Sequence, residues 1–185
     1  MQSKQSPAAR FGLRGREYDR IWEIMQEAFP PAERRSRTGM DRVMADPAFT
    51  LSVYRDETGE PAAFLTSWQL EGFRFVEHFA VSASLRGRGM GGRMLRAFLE
   101  SGAGPVVLEV EPPENETARR RIGFYQRLGF HLVDYPYIQP PLQPHTPAVP
   151  LRIMSWPAPL SRETFAAVRK SLYNKVYACG NSMFE

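Results

Sequence analysis

The stretch FRFVEHFAVSASLRGRGMGGRML, residues 73–95, decides how this chain folds. Its first nine residues are mostly apolar and aromatic, which predicts a strand in the interior of a sheet. The segment RGRGMGG, residues 86–92, follows, and a helical pattern then begins whose apolar face holds Met90, Met94, Leu95 and Phe98. Glycines let backbone amides approach an oxyanion, and a helix amino terminus adds positive charge. The stretch therefore predicts a phosphate or pyrophosphate site.

The glycine spacing fits neither a Walker phosphate loop nor a dinucleotide-binding turn. Arg86-x-x-Gly89-x-Gly91, after the strand end Ala80-Val81, resembles instead the acyl-CoA pyrophosphate signature of the GCN5-related N-acetyltransferase (GNAT) superfamily. A second match lies downstream, where Asn115-x-x-Ala118 is followed by Phe124-Tyr125-x-x-x-Gly129-Phe130. Because both segments occur in the right order with a strand between them, the chain resembles a bacterial-type member of this superfamily.

The resemblance implies acetyl-CoA as the acyl-donor cosubstrate, and it implies no metal. The pantetheine arm would pair with the end of the central strand, at Phe79, Ala80 and Val81, and the Val81 amide would stabilise the carbonyl oxygen. The diphosphate would lie on the turn formed by Arg86, Gly87, Arg88, Gly89, Met90, Gly91 and Gly92. Asn115 and Tyr125 complete the implied cofactor contacts.

Acetyl transfer to an amine requires a neutral amine, a stabilised carbonyl oxygen and a proton for the departing thiolate. The resemblance assigns the general acid to Tyr125, which helical spacing places on one face with Ala118 and Ile122. A buried aromatic that only fills the core is the alternative for Tyr125. Neither Ser82 nor Cys179 has a visible base partner, so we expect direct attack in a ternary complex and no covalent enzyme intermediate.

Glu77 is the base candidate, because strict alternation places it on the same face as Phe79 and Val81. The alternative is a paired, structural glutamate, or one that only attracts a cationic substrate. His78 is the next candidate, although alternation turns it to the opposite face. Glu111, at the end of the following strand, is the third.

The amine acceptor should enter on the side opposite CoA, past the first connection between helices (29–37) and the proline-rich loop (136–150). Phe29, Glu33, Glu111 and Tyr137 are the substrate-binding candidates, and Tyr135 and Gln139 could also line this entrance. An aromatic and proline-rich lining fits a small-molecule amine and a peptide amino terminus equally well.

Composition indicates a globular protein: 185 residues, 43% hydrophobic and 24% charged. We expect one domain over residues 1–185, with a core of about 16–156 and a carboxy-terminal helical extension of about 157–185. The single cysteine excludes an internal disulfide and a cysteine-based zinc site. No run approaches the length of a membrane span, and residues 1–15 lack the apolar core of a secretory signal, so we expect a cytoplasmic protein without a membrane partner.

The net charge of +4 has three explanations. One explanation is a general bias of the composition towards arginine. Another is that arginines bind the three phosphate groups of CoA. Nucleic-acid binding is the third, but the sequence has no zinc-finger, helix-turn-helix or aromatic-platform signature. Residues 119–121 are three arginines that form either a solvated helix face or contacts to the nucleotide phosphate. A non-catalytic acyl-CoA-binding sensor or partner domain is the alternative to an enzyme.

The order of elements follows from periodicity and turn residues. Helices are expected near 18–29, 40–45, 89–101, 118–128 and 161–176, and strands near 49–54, 62–70, 73–81, 106–111, 130–137 and 151–156. This order fits an α/β fold with a mixed, mostly antiparallel sheet and helices on both faces. By resemblance, the sheet splays between the family's fourth and fifth strands, and the carboxy-terminal helix goes beyond the common core. Three roles are open for that helix: covering the core, forming a homodimer, or bordering the substrate site.

Overall fold

A mixed sheet with helices on both faces organises residues 15–179, the part of the chain that this computed structural model describes. The strands are β1 (Phe49–Arg55), β2 (Pro61–Leu70), β3 (Phe73–Val81), β4 (Val106–Val110), β5 (His131–Leu132), β6 (Tyr137–Gln139) and β7 (Val149–Trp156). The helices are α1 (Arg16–Ala28), α2 (Arg37–Met44), α3 (Met90–Glu100), α4 (Glu116–Gln126) and α5 (Arg162–Ser171). The strand order is β1-β2-β3-β4-β7-β5, and β6 also pairs with β7.

Side-chain caps fix where three of the helices begin. The side chains of Ser36, Asn115 and Ser161 each accept a hydrogen bond from the backbone amide three residues later, at the starts of α2, α4 and α5. Such caps satisfy amides that have no acceptor within the helix. The predicted start of the last helix at Ser161 is therefore confirmed.

Two hydrophobic cores cover the two faces of the sheet. On one face α1, α2 and α5 pack against a core that includes Phe64, Trp68 and Ile153. On the other face α3 and α4 pack against a core that includes Leu65 and Met154. Neighbouring residues of one strand therefore contribute to opposite cores, as the pleat requires. We call these the α1/α2/α5 face and the α3/α4 face.

The sheet splays between β3 and β4. These strands are parallel and pair only at their first residues, where Arg74, Phe75 and Val76 lie opposite residues 106–108. Beyond this point β3 stays paired with β2 as far as Val81, and β4 stays paired with β7 as far as Val110. Among the described residues no strand precedes Phe49, so the predicted splay falls between the third and fourth strands of this chain.

A β-bulge interrupts β3 at Glu77. Thr66 lies opposite His78, whereas the next residue of β2, Ser67, lies opposite Val76, so Glu77 has no partner on β2. A bulge of this kind adds one residue to a strand and changes which face the following side chains occupy.

The bulge overturns the alternation expected around Glu77. Glu77 contacts Trp68 and His78 contacts the Phe29 ring, both on the α1/α2/α5 face. Phe79 packs into the core of the α3/α4 face. The prediction that Glu77 shares a face with Phe79 and Val81 is therefore wrong, and so is the prediction that His78 faces away from Glu77.

Two further predictions on local structure need correction. The strand expected at 130–137 forms only over His131–Leu132, and Tyr137–Gln139 form a separate short strand inside the proline-rich loop. Pro136 lies between them and has no backbone donor for a ladder. After α5, the last helix continues as a π-helical turn over Leu172–Val176.

Residues 1–14, which cover nearly all of the stretch examined for a secretory signal, lie outside the described residues. Within residues 15–179, no helix combines the length and the apolar character that crossing a bilayer demands.

Candidate active site

The turn at residues 86–92 connects the end of β3 to α3. Gly87 and Gly89 adopt left-handed backbone conformations, with φ of +78° and +72°, which side chains disfavour. Gly89 is the residue that precedes α3, and the first amides of a helix have no acceptor within the helix. Gly87 and Gly89 are exposed, and Gly91 and Gly92 are partly buried, so the turn lies at the surface where an anion can approach its backbone donors.

Two exposed arginine side chains hold this turn through hydrogen bonds to backbone carbonyls. Nε of Arg86 donates to the carbonyl of Val81 at 3.0 Å, and Nη1 of Arg93 donates to the carbonyl of Arg88 at 3.2 Å. The guanidinium of Arg86 is thus held at the end of β3, beside the mouth of the splay. Arg88 itself is exposed.

The amino terminus of α3 packs directly against β3. A methyl group placed on Gly91 would lie 3.4 Å from the ring of Phe79 and 3.7 Å from the side chains of Phe124 and Val81. The same addition at Gly92 would meet open space. The candidate anion turn, the end of β3 and α4 therefore lie side by side, as the proposed cofactor contacts require.

Tyr125 lies on the buried face of α4, and Ala118 and Ile122 share that face as expected. Its ring contacts those of Phe124 and Phe130, with centroids 5.2 and 5.7 Å away. Burial raises the pKa of Tyr125 to about 12, so the phenol is protonated at neutral pH. Its hydroxyl forms no hydrogen bond with residues 15–179, which leaves a proton available for donation.

Asn115, an expected cofactor contact, caps α4. Its Oδ1 accepts from the amide of Ala118 at 2.8 Å. The side-chain oxygen of Asn115 is therefore used by the cap, whereas its side-chain amide nitrogen can still donate to another partner.

Glu77 is engaged at both oxygens. Oε1 accepts from Nε of Arg35 and Oε2 from Nε1 of Trp68, each at 2.8 Å. The side chains of Glu77 and Arg35 are only 2% and 11% exposed. This is the arrangement of a paired, structural glutamate, because taking up a proton there would break a buried ion pair.

Glu109, on β4, is the residue that the sequence prediction missed. The hydroxyl of Tyr137 donates a short hydrogen bond to its Oε1, and the hydroxyl of Tyr177 lies 2.7 Å from both oxygens. Burial raises the pKa of Glu109 to about 7. The two tyrosine hydrogen bonds lower this pKa, and the charges of Glu77 and Glu33 raise it. Alternation along β4 separates Glu109 from the apolar residues of the strand, but nothing in the local sequence indicates its two tyrosine partners.

Two further carboxylates lie near Glu109 on the same face. Burial raises the pKa of Glu33, and the charge of Glu111 raises it further, whereas Arg121 lowers it. Oε2 of Glu111 accepts from Nη1 of Arg121 at 3.0 Å. Glu33 therefore adds negative charge beside Glu109, and Glu111 adds negative charge beside Glu33 that Arg121 partly offsets.

His78 contacts both Phe29 and the backbone of Glu33. The rings of Phe29 and His78 meet edge to face at 4.9 Å, and Nε2 of His78 lies 3.0 Å from the carbonyl oxygen of Glu33. Burial lowers the pKa of His78, which favours the neutral ring. His78 therefore holds the backbone of the connection between α1 and α2.

The proline-rich loop is tied to that connection. Nε2 of Gln139 donates to the carbonyl of Ala32 at 3.1 Å, and Nε2 of Gln143 donates to the carbonyls of Pro31 and Arg34 at 2.9 and 2.8 Å. The two segments expected to flank the acceptor entrance are therefore in contact.

Tyr135 lies elsewhere than expected. Its ring packs against Phe165 on α5 at 5.2 Å, with the guanidinium of Arg162 5.6 Å from its centroid. These contacts dock α5 and give Tyr135 a packing role.

The three arginines of α4 divide into two groups. Arg120 pairs with Glu116 at the surface, and Arg119 donates to the carbonyl of Pro113, so both belong to an exposed helix face. Arg121 instead forms an ion pair with the carboxylate of Glu111.

Comparison with known proteins identifies the family and the fold. The family model described as "Acetyltransferase (GNAT) family" matches residues 18–130. A solved structure from Bacteroides thetaiotaomicron, named "Putative acetyltransferase from GNAT family", is 35% identical with a TM-score of 0.79, covering 86% of this chain and 91% of that chain. The structure of an aminoglycoside 6'-N-acetyltransferase complexed with coenzyme A is 15% identical, with a TM-score of 0.54 over 74% of this chain and 88% of that one, and shows the fold alone.

A curated relative shows a shorter match. "Putative acetyltransferase YjbC" of Bacillus subtilis (strain 168) is 30% identical over 111 residues, which are 59% of this chain. The match spans 55% of the length of that relative.

Proposed function

Because this chain belongs to the acetyltransferase (GNAT) family, we propose that it moves an acetyl group from acetyl-CoA to a primary amine of a small molecule or peptide. The observation that carries the proposal is the splay of β3 from β4 directly beside the glycine turn and the amino terminus of α3. An extended thioester arm fits along an unpaired strand edge, and its diphosphate fits at a helix amino terminus.

The donor site uses the residues named by the sequence motifs. Backbone groups of residues 79–81 would pair with the pantetheine arm, and the amide of Val81 would stabilise the carbonyl oxygen as it gains charge. The diphosphate would lie on the amides of residues 86–92. The coenzyme A in the structure of the aminoglycoside acetyltransferase, a protein of the same fold, supports a CoA donor.

In the proposed site, the splay lets side chains from both faces of the sheet act on the same pair of substrates. Tyr125 belongs to the α3/α4 face, on the donor side, and Glu109 lies with the carboxylates of the α1/α2/α5 face. In the proposed reaction the amine nitrogen attacks the acetyl carbon, and the carbon–sulfur bond breaks. Before the attack the Glu109 carboxylate takes one proton from the bound ammonium, which leaves a neutral amine, and it later releases that proton to solvent. The Tyr125 hydroxyl protonates the departing thiolate, and the second proton of the attacking nitrogen returns to the Tyr125 oxygen.

Glu109 takes the base role first assigned to Glu77. A base works best when its pKa lies near the working pH, and the pKa of Glu109 is raised to about 7. Its hydrogen bonds come from neutral phenols, whereas Glu77 is held by the cation of Arg35. Accepting a proton at Glu109 therefore leaves no cation unpaired.

The acceptor would bind on the α1/α2/α5 face. Glu33 and Glu111 would supply negative charge that attracts a protonated amine, with part of the Glu111 charge offset by Arg121. Phe29 is partly buried and would supply aromatic surface, whereas Tyr137 is buried and would act through its hydrogen bond to Glu109. Since Tyr177 lies beyond the core expected at 16–156, the proposed catalytic unit is one domain that includes the carboxy-terminal extension.

A thiol-release assay tests the proposal. Acetyl-CoA and the full chain would be incubated with a panel of small amines and peptides, with free CoA followed by its thiol. We expect amine-dependent release, with Glu109→Gln lowering kcat/KM by roughly 10²- to 10⁴-fold. Binding of CoA without release for any amine would support a non-catalytic acyl-CoA-binding domain instead. Salt-sensitive nucleic-acid binding without CoA affinity would indicate the third alternative.

A further inference from the structure

The chain after α5 forms a segment that reaches back to the sheet. This carboxy-terminal segment, residues 172–179, starts with the π-helical turn Leu172–Val176 and lies outside the range matched by the family model. Leu172, Tyr173 and Val176 are buried in the core of the α1/α2/α5 face. The segment is therefore packed as part of the domain.

Two contacts connect this segment to the carboxylates beside the splay. The hydroxyl of Tyr177 lies 2.7 Å from both oxygens of Glu109. The carbonyl of Val176 accepts from Nη2 of Arg35 at 2.7 Å, while Nε of the same arginine holds Glu77. Neighbouring residues of the segment thus fix both buried carboxylates.

We propose that the carboxy-terminal segment forms part of the acceptor site. In this segment Tyr177 is the positioning residue that orients Glu109 and sets its proton affinity. The inference rests on the proposed function for its catalytic meaning. Its structural half, the control of Glu109 by Tyr177, can be measured without any reaction.

The charges around Glu109 determine the direction of the effect. Tyr137 from β6 and Tyr177 from the segment donate hydrogen bonds to the carboxylate, while the charges of Glu77 on β3 and Glu33 on the α1–α2 connection oppose its ionisation. Burial raises the pKa of both tyrosines well above the ordinary value, so both remain donors at neutral pH. Removing one donor therefore raises the pKa of Glu109.

Other contacts hold the segment in place independently of Tyr177. Nζ of Lys175 pairs with Oδ2 of Asp46 at 2.7 Å, and the hydroxyl of Tyr173 donates to the carbonyl of Ile138 at 2.6 Å. Loss of the Tyr177 hydroxyl should consequently leave the segment docked, so its effect can be separated from undocking.

The test is Tyr177→Phe in the full chain, with kcat/KM measured against pH for one acceptor. We expect the midpoint of the alkaline-rising limb to move upward by about one pH unit, which lowers kcat/KM about tenfold below the midpoint and little above it. Lys175→Ala removes an exposed ion pair of the same segment but keeps the Tyr177 hydroxyl, and Tyr54→Phe removes a partly buried hydroxyl on β1. Both controls should leave the midpoint unchanged. A pH-independent loss in Tyr177→Phe would overturn the proposal.

A second readout does not depend on activity. In protein labelled with ¹³C at glutamate side-chain carboxyls, the Glu109 resonance is identified by its absence in Glu109→Gln, and its titration midpoint is compared with and without the Tyr177 hydroxyl. Equal midpoints would overturn the inference. A shifted midpoint in a protein that acetylates no amine would support the control of Glu109 by Tyr177 and count against the proposed function.

Discussion

Arg35 and Glu77 form a buried ion pair, with Nε of the guanidinium 2.8 Å from Oε1 of the carboxylate. The guanidinium also lies 5.8 Å from the ring centroid of Trp68, which donates to the other oxygen of Glu77. The pair joins the α1–α2 connection to β3 at the bulge. Removing one partner would leave a charge buried without compensation.

Glu77→Gln should therefore act mainly on stability and keep the alkaline-rising limb of kcat/KM, with its midpoint moved downward because the charge of Glu77 raises the pKa of Glu109. We expect the free energy of unfolding to fall by about 3 kcal/mol, because Arg35 loses its ion partner in a buried site. Urea unfolding measures this loss, and Glu57→Gln in the exposed β1–β2 turn is the matched control. Loss of the alkaline-rising limb of kcat/KM in Glu77→Gln would restore Glu77 to the base role.

Glu109 should make stability depend on pH in a defined direction. Its pKa is raised from 4.5 to about 7 in the folded protein, so the folded state binds the proton more tightly than the unfolded chain. Stability from this group is therefore fully present below pH about 4.5 and is lost as the pH rises through about 7, by about 3 kcal/mol.

Comparison with Glu109→Gln isolates this contribution, because the neutral amide does not titrate. Urea unfolding of both proteins across this pH range should show the wild-type stability falling relative to the variant, with a constant difference above pH about 8. A difference that does not change with pH would contradict the raised pKa of Glu109.

Tyr125→Phe should lower kcat and spare binding of acetyl-CoA. The phenol is buried and protonated, and its removal takes away the proton for the departing thiolate. We expect a loss of roughly 10²-fold in kcat with a similar dissociation constant for acetyl-CoA. Tyr54→Phe on β1 serves as the control for removing a partly buried hydroxyl. Full activity in Tyr125→Phe would leave the residue only a packing role.

The glycines of the anion turn should differ in their tolerance of alanine. Gly89 has a φ of +72°, so Gly89→Ala should lower the unfolding free energy by about 1–2 kcal/mol and weaken acetyl-CoA binding. Gly92 lies within α3 and faces open space, so Gly92→Ala should leave stability unchanged or raise it by roughly 0.5 kcal/mol. Thermal unfolding and calorimetric titration check both effects, and equal stability of the two variants would contradict the left-handed conformation at Gly89.

The family, the mixed splayed sheet and the glycine turn before α3 could all be predicted from the sequence, and all three are confirmed. These features depend on local patterns: apolar runs, glycine spacing and helical periodicity. The buried face of α4, with Tyr125, follows from the same 3.6-residue repeat.

The acceptor side could not be predicted in the same way. One extra residue in β3 turned Glu77 to the other face, and alternation along a single strand contains no sign of such a bulge. Glu109 gains its character from Tyr137 and Tyr177, which lie 28 and 68 positions further along the chain. Only the folded arrangement brings them together.

A single turnover with acetyl-CoA labelled with ¹³C in the acetyl group tests the central claim most directly. Excess enzyme, labelled donor and an amine that the enzyme acetylates are mixed. The masses of the intact protein and of the amine are then measured by mass spectrometry over time. Direct transfer predicts that the label moves to the amine nitrogen while the protein mass never changes. An acetylated protein that forms and then decays on addition of amine, or a label that never leaves CoA, would contradict it.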